Sequence, residues 1–304
     1  MIHRYEHNGL VWVDLEVPTN DEVREVMNEF DIDPLVAEEL LLPSLKPRVE
    51  RYPDFLYLIL HFPTFKHTHT ASQNQEIDFI IGKEFLITTR YDTIDPIHKF
   101  SKMFEVHSIL NKNDEGEHAG FLLYHLIRKL YRAVEHELDF MRDELVDIEQ
   151  KIFAGEERKM VVELSQVSRG LLNFKQALGM HATIWESFEP IASDFFDGNF
   201  SYYARTILGQ YYRVKGDINA HFDSLTELRE TNNSLVSTRQ NEIMKTLTIM
   251  AFVTFPLTLV TSIFGMNTSY LPFVGKPGDF FIVTGLMVLI TGIFIVFFKY
   301  KRWL

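Results

Sequence analysis

The chain has no cysteine. That absence removes disulfides, thiolate zinc sites and cysteine nucleophiles together. Basic charge is scarce as well: 30 Lys and Arg stand against 42 Asp and Glu, a formal net charge of -12. A nucleic-acid binder needs a basic face to displace counterions from phosphates, so nucleic acid is excluded as a partner. No glycine-rich phosphate loop and no GxSxG elbow occur, so neither nucleotide hydrolysis nor serine catalysis has support and no enzyme is expected. Met1 to Thr19 is mixed polar and does not read as a signal peptide. What remains is a chain of 304 residues, 46% hydrophobic, long enough for two domains or for one domain with an appendage.

The apolar residues are concentrated. Thr246 to Phe264 and Phe280 to Phe298 carry no charge at all. Each run is about 19 residues, or about 28 Å as a helix, which matches the hydrocarbon thickness of a bilayer. The alternative is a pair of buried core helices, but such helices usually keep one polar face, and these hold only Thr, Ser, Gly and Pro among apolar residues. Pro256 costs the first run a backbone hydrogen bond, for which Thr258 and Thr261 are the nearby hydroxyls. Arg239 and Lys245 precede the first run, and Lys299, Lys301 and Arg302 follow the second. The bias of basic residues predicts a multi-pass protein of the cell (inner) membrane with both termini cytoplasmic and residues 265–279 outside.

The preceding residues read as an α/β or α+β unit followed by long helices. Leu10–Glu16 alternates as a half-buried strand, and Thr19 to Glu22 offers N-caps to a helix ending near Phe30. Asp33-Pro34 opens a helix to Leu42; Phe55–Phe65, Glu76–Gly82 and Glu84–Tyr91 read as consecutive strands, and Asp95-Pro96 begins another helix. From Phe121 to Phe153 the apolar residues Leu122, Leu126, Leu130, Val134, Leu138, Met141, Leu145 and Ile148 share one face. Gly155 marks a break before a second helix, Glu157–Phe188, that Pro190 is expected to stop. A third helical pattern then runs from about Tyr202 into the first apolar run, about 90 Å if continuous. The domain expectation is therefore 1–118 α/β, 119–200 long helices, 201–264 stalk and first span, 265–279 loop, 280–298 second span and 299–304 basic tail.

Along the stalk, Asp223, Glu230, Ser237, Met244, Ala251 and Thr258 recur every seven residues, with Asn241, Thr248, Phe255 and Ser262 at the complementary offset. A dry coiled-coil seam would want Leu, Ile and Val there. In the cytosolic half, for a lone helix, this stripe reads better as a solvated face. Within the apolar run, a polar stripe points to a wet lumen or another helix.

Immediately after the first apolar run stands Gly265-Met266-Asn267. An asparagine at a helix C-terminus can offer a carbonyl to the water shell of a small divalent cation, aided by the negative end of the helix dipole, and Gly265 allows unusual dihedrals there. With this tripeptide at this place, with Asn241-Glu242-Ile243-Met244-Lys245 leading into the first run and the basic tail Lys299 to Leu304, the sequence resembles the CorA family of divalent-cation channels. Arg169-Gly170-Leu171-Leu172 and Pro47-Arg48-Val49-Glu50 extend the resemblance through nearly the whole chain.

The resemblance implies a funnel-shaped homopentamer in a lipid bilayer, with an α/β cytosolic domain, a long helical stalk and two C-terminal transmembrane helices. Gly265, Met266 and Asn267 would form the selectivity filter. Met244 and Leu247 match an apolar gate, Thr258 and Ser262 match pore-lining positions, Phe255 resembles a second hydrophobic ring, and Asn241 and Ala251 share the stripe. The expected cargo is Mg²⁺, with Co²⁺ or Ni²⁺ as surrogates, and Mg²⁺ is also the possible regulator. The two departures concern the outer loop, Thr268 to Lys276, which has no carboxylate before Asp279, and the regulatory carboxylates. Glu230 matches one regulatory position, with Asp78 or Glu76 as candidate partners. A ZntB-like zinc transporter, with proton coupling as a variant of that reading, and a non-conducting membrane scaffold are the alternatives. His67-Thr68-His69, near His61, lacks a third metal ligand and reads as a solvated loop.

Overall fold

The computed structural model describes residues 1–7, 9–44, 46–64, 74–105, 118–266 and 278–303. Its first strands are β1 (Ile2–His7) and β2 (Leu10–Glu16), followed by helices α1 (Asn20–Phe30) and α2 (Pro34–Glu39). Four strands come next, β3 (Arg48–Arg51), β4 (Leu56–Phe62), β5 (Gln75–Ile81) and β6 (Phe85–Arg90). The helices α3 (Asp95–Glu105), α4 (Ala119–Phe153), α5 (Glu157–Ala177), α6 (His181–Phe195), α7 (Phe200–Phe264) and α8 (Asp279–Tyr300) complete the chain. The strands form one mixed sheet in the order β1-β2-β6-β5-β4-β3. Only β2 and β6 run parallel, so the unit is mostly antiparallel.

The sheet is covered on both faces. Val13, Ile87, Ile80 and Tyr57 form one cross-strand row, and with Leu15 and Ile59 they bury Val23, Val26, Val36 and Ala37 of α1 and α2. The α1 start is fixed by a capping box: the Thr19 hydroxyl accepts from Glu22 N–H, and Thr19 N–H donates to Glu22 Oε2 at 2.8 Å. On the other face the Trp12 indole stacks edge-on against Phe100 of α3, and Phe62 meets Tyr131 of α4.

Every residue of the expected α4 stripe, from Leu122 to Ile148, is buried. Gly155, at φ +98°, makes the expected turn into α5. The next helix differs from expectation. It stops at Ala177, a break at Leu178 to Met180 intervenes, and α6 carries Pro190 in its interior on to Phe195. A proline removes one N–H and one hydrogen bond, and a well-packed helix can survive that loss. Phe188 and Ala192 on either side of Pro190 are fully buried and hold α6 in place.

Two compact units divide the chain, Met1–Arg229 and Glu230–Leu304, and the 65-residue α7 contributes to both. In the first unit α7 buries Phe200, Ala204, Ile207, Tyr211, Val214, Ile218 and Leu225 at helical spacing. His221 Nε2–H donates to the Leu138 carbonyl of α4 at 2.9 Å. Asp223 is exposed, on the side of α7 away from this seam.

Candidate functional site

The second unit consists of the remainder of α7 and of α8. Their apolar windows are not buried at all, which removes the reading as core helices. At 100° per residue, Asn241, Met244, Leu247, Ala251, Phe255, Thr258 and Ser262 fall within about a third of the α7 circumference. All but the half-buried Ala251 are exposed. Ile249, Val253, Pro256, Leu257 and Val260 lie on another side and are half-buried. Toward that side the Phe252 ring meets Phe298 of α8 at 6.4 Å.

Hydroxyl protons on α7 are used inside the helix. Thr248 Oγ1 donates to the Met244 carbonyl at 2.8 Å, Thr258 to Thr254 at 3.0 Å and Thr261 to Thr258 at 2.9 Å. Each oxygen then presents only lone pairs to its surroundings, which suits the outward-pointing hydrogens of a hydrated cation. The same bonds correct an expectation about Pro256. The carbonyl it leaves unpaired is that of Phe252, and neither Thr258 nor Thr261 reaches it. Threonine bonds back three or four residues, so only a hydroxyl at 255 or 256 could serve.

The helix closes with Gly265 N–H donating to Thr261 O at 2.8 Å and Met266 N–H to Ile263 O at 3.3 Å. Gly265 does not take the unusual dihedral expected of it, as its φ is not positive. Space explains the glycine instead, because a Cβ there would stand 3.0 Å from the Thr261 carbonyl oxygen. Asn267 and the loop through 277 lie outside the described residues, as does His67-Thr68-His69.

The three candidate regulatory carboxylates differ in exposure. Glu230 is exposed on α7. Glu76 and Asp78 are buried neighbours on one face of β5 and are engaged with groups of their own unit. Ser44 N–H donates to Glu76 Oε1 at 2.6 Å, and His61 Nε2–H to Glu76 Oε2 at 2.8 Å. Tyr91 and Tyr57 donate their hydroxyls to Asp78 Oδ2 at 3.0 and 3.4 Å. Burial, and then the charge of Glu76, push the Asp78 carboxyl well above the usual carboxylate range. Among the described residues no group of three His, Asp or Glu side chains is arranged to hold a metal.

A second buried chain escaped sequence reasoning altogether. Trp185 Nε1–H donates to Tyr131 Oη at 2.8 Å, and Tyr131 O–H pairs with His181 Nδ1 at 2.7 Å. His181 Nε2 lies 2.8 Å from the His61 carbonyl. The carbonyl can only accept, so Nε2 carries the proton and Nδ1 accepts from Tyr131. Burial pushes the His181 imidazole down to about 3 and keeps it neutral.

A sequence model described as "CorA-like Mg2+ transporter protein" matches residues 7–302. The cobalt/magnesium transport protein CorA of Methanocaldococcus jannaschii is 27% identical over 99% of this chain and 93% of its own length. A zinc transport protein ZntB of Yersinia enterocolitica is 19% identical over 96% of this chain and 88% of its own. The solved structure of the Methanocaldococcus jannaschii CorA magnesium transporter superposes with a TM-score of 0.83 at 24% identity, covering 99% of this chain and 93% of that one.

Proposed function

Because the chain belongs to the CorA-like Mg2+ transporter family, whose members move divalent metal cations across membranes, we propose that its own cargo is Mg²⁺, conducted along the axis of a homopentamer. Co²⁺ and Ni²⁺ are expected as surrogates. The observation that carries this reading is the exposed stripe of α7 from Asn241 to Ser262, which leads without interruption to Gly265 and Met266. In a ring of identical subunits the stripe faces the axis. Met244 and Leu247 then narrow the path with apolar side chains that close by dewetting, and Phe255 forms a second apolar ring. Thr258 and Ser262 offer oxygens to the water shell, and Thr258 has already given its proton to Thr254. Asn267 completes the filter with amide oxygens around a hydrated ion. Mg²⁺ sheds water reluctantly, so neutral oxygens that bind its hydration shell select it without stripping it.

The orientation that fits the basic residues puts both termini in the cytoplasm and the 265–279 loop outside. Influx is then driven by the concentration gradient and by about 2.3 kcal/mol per charge per 100 mV, doubled for a divalent ion. Glu230, exposed on α7, is the proposed regulatory carboxylate, through which internal Mg²⁺ closes the path. Glu230→Lys should abolish Mg²⁺ inhibition of flux while leaving conduction intact.

The deciding experiment is flux into liposomes with Mg²⁺, Co²⁺, Ni²⁺ and Zn²⁺ in turn, with and without a pH gradient. Mg²⁺ uptake that Asn267→Ala lowers at least tenfold supports the proposal. A zinc transporter is the second reading, favoured by the likeness to ZntB and by an outer loop with no carboxylate before Asp279. Proton-coupled Zn²⁺ uptake without Mg²⁺ flux would establish it. No flux of any ion, with Asn267→Ala indistinguishable from wild type, would leave a membrane scaffold.

A further inference from the structure

Within the second unit, α7 and the end of α8 line an open-sided cleft of about 550 Å³. It is lined by Phe252, Ile293, Phe294, Phe297 and Phe298, together with Lys301 and Trp303 of the tail. Its size falls in the range of small-molecule sites, about 300–1,000 Å³. The lining has almost no hydrogen-bonding capacity, so a sugar, nucleotide or peptide has nothing to bind. The single cationic group is the Lys301 amine.

The tail is shaped around this opening. Beyond Tyr300 the chain does not simply run on: Arg302 adopts φ +58°, a left-handed conformation that is unfavourable for a non-glycine residue. That turn lets Arg302 N–H donate to Lys299 O at 3.1 Å and Trp303 N–H to Phe298 O at 2.9 Å. The Trp303 ring then stacks on Phe298, with centroids 5.9 Å apart at 21°. Lys245 Nζ donates to the Arg302 carbonyl at 3.4 Å and ties the turn to α7. Trp303 and Lys301 are thereby both held at the mouth of an aromatic cleft, among three cationic side chains in four residues, Lys299, Lys301 and Arg302.

From this arrangement we infer that the cleft binds an anionic phospholipid, with an acyl chain against the phenylalanines and the phosphate on Lys301. An amphiphile of that kind is the one ligand whose two ends match an apolar cavity and a basic rim. A second copy of the chain is a poorer occupant. Rotational symmetry brings identical residues to one depth, so a neighbouring copy would add its own Lys299, Lys301 and Arg302 at the level of this rim, charge of the same sign. The tryptophan suits the boundary between acyl chains and headgroups, and the lysine can extend toward the phosphate.

The inference rests on the membrane reading above, and one experiment separates the two. The full-length protein is reconstituted in vesicles containing acyl-brominated phosphatidylglycerol or acyl-brominated phosphatidylcholine. Quenching at Trp303 is read as the difference between wild type and Trp303→Phe. The expected result is half-quenching at about fivefold lower mole fraction of the anionic lipid, the factor one lysine supplies at an anionic surface. Lys301→Gln should bring the two lipids level, and Ile293→Phe, which adds bulk to the cleft without adding a fluorophore or changing the charge, should lower quenching by both. Equal quenching of wild type by the two lipids would overturn the inference and leave the membrane reading standing. No quenching in protein that floats with the vesicles would overturn it in favour of a neighbouring subunit in the cleft. Protein that fails to float would overturn both.

Discussion

Acidification should destabilise the first unit through one neutral ring. His181 is fully buried, its Nε2–H spent on the His61 carbonyl and its Nδ1 on the Tyr131 hydroxyl. A second proton would need an acceptor where Tyr131 already donates, and Tyr131 cannot turn freely because Trp185 donates to its oxygen. Folding therefore holds the imidazole at about 3, against about 6.5 in the unfolded chain. As pH falls, the unfolded chain takes up this proton first. The stability owed to the neutral ring is complete above about pH 6.5 and is lost progressively down to about pH 3. At pH 5 the unfolded chain has gained about 1.5 pH units of protonation, so the loss from pH 8 to pH 5 is about 2 kcal/mol. The assay is urea unfolding of the full chain in micelles, followed by near-ultraviolet circular dichroism at several pH values, for wild type and His181→Gln. The variant is less stable throughout, because the amide cannot reproduce both ring contacts. Its deficit should shrink by about 2 kcal/mol between pH 8 and pH 5. A deficit that stays constant over that range would refute the assignment of a neutral, tightly satisfied imidazole.

Two further outcomes follow from the sheet. The Asp78 carboxyl is raised by burial and by Glu76, so the folded chain keeps its proton while the unfolded chain releases it above about pH 4. That contribution is full at lower pH and falls as pH rises, so Asp78→Asn should gain on wild type from pH 4 to pH 8. An infrared titration of the carboxylic-acid carbonyl band that is absent from Asp78→Asn checks the direction, and loss of that band in wild type at the ordinary carboxylate pH of about 4 would sink the idea. On the opposite face, buried Arg90 binds Asp14 through Nε and Nη2 at 3.1 and 3.0 Å. Asp14→Ala should cost about 3–5 kcal/mol in the same unfolding assay, since it leaves a buried guanidinium short of its partner, with Glu16 keeping the value below that of complete isolation.

The long elements were legible because their periodicity is long. The α4 stripe from Leu122 to Ile148 repeats often enough to fix a face, and Gly155 stood where a turn was needed. The α5–α6 break was not legible, because Leu178, Gly179 and Met180 interrupt an apolar pattern for less than one turn. Pro190 misled in the opposite direction, since a packed helix outlives the loss of one bond. Strands β1 and β3 were missed because they are edge strands with a high share of charged or polar residues, and alternation fails there. On α7, a face shared by Asn241 through Ser262 follows from 3.6-residue spacing. Which hydroxyl bonds to which carbonyl follows from reach, and on that point the reading of Pro256 was wrong. The Asp78 and His181 networks draw partners from β4, α4, α6 and the residues after β6, distances in sequence that no local pattern records.

The charged edge strands have a consequence for assembly. β1 reads Ile-His-Arg-Tyr-Glu-His and β3 reads Arg-Val-Glu-Arg, and each leaves one row of backbone donors and acceptors unclaimed by the sheet. Several copies made side by side at one patch of bilayer reach high local concentration, where bare edges would zip sheet to sheet into fibres. Charged side chains of both signs along the two borders, with Arg4 clasped to Glu25 and Glu29, would have to lose water and partners in that encounter and so raise its cost. The proposed homopentamer would then have its contacts left to the helices.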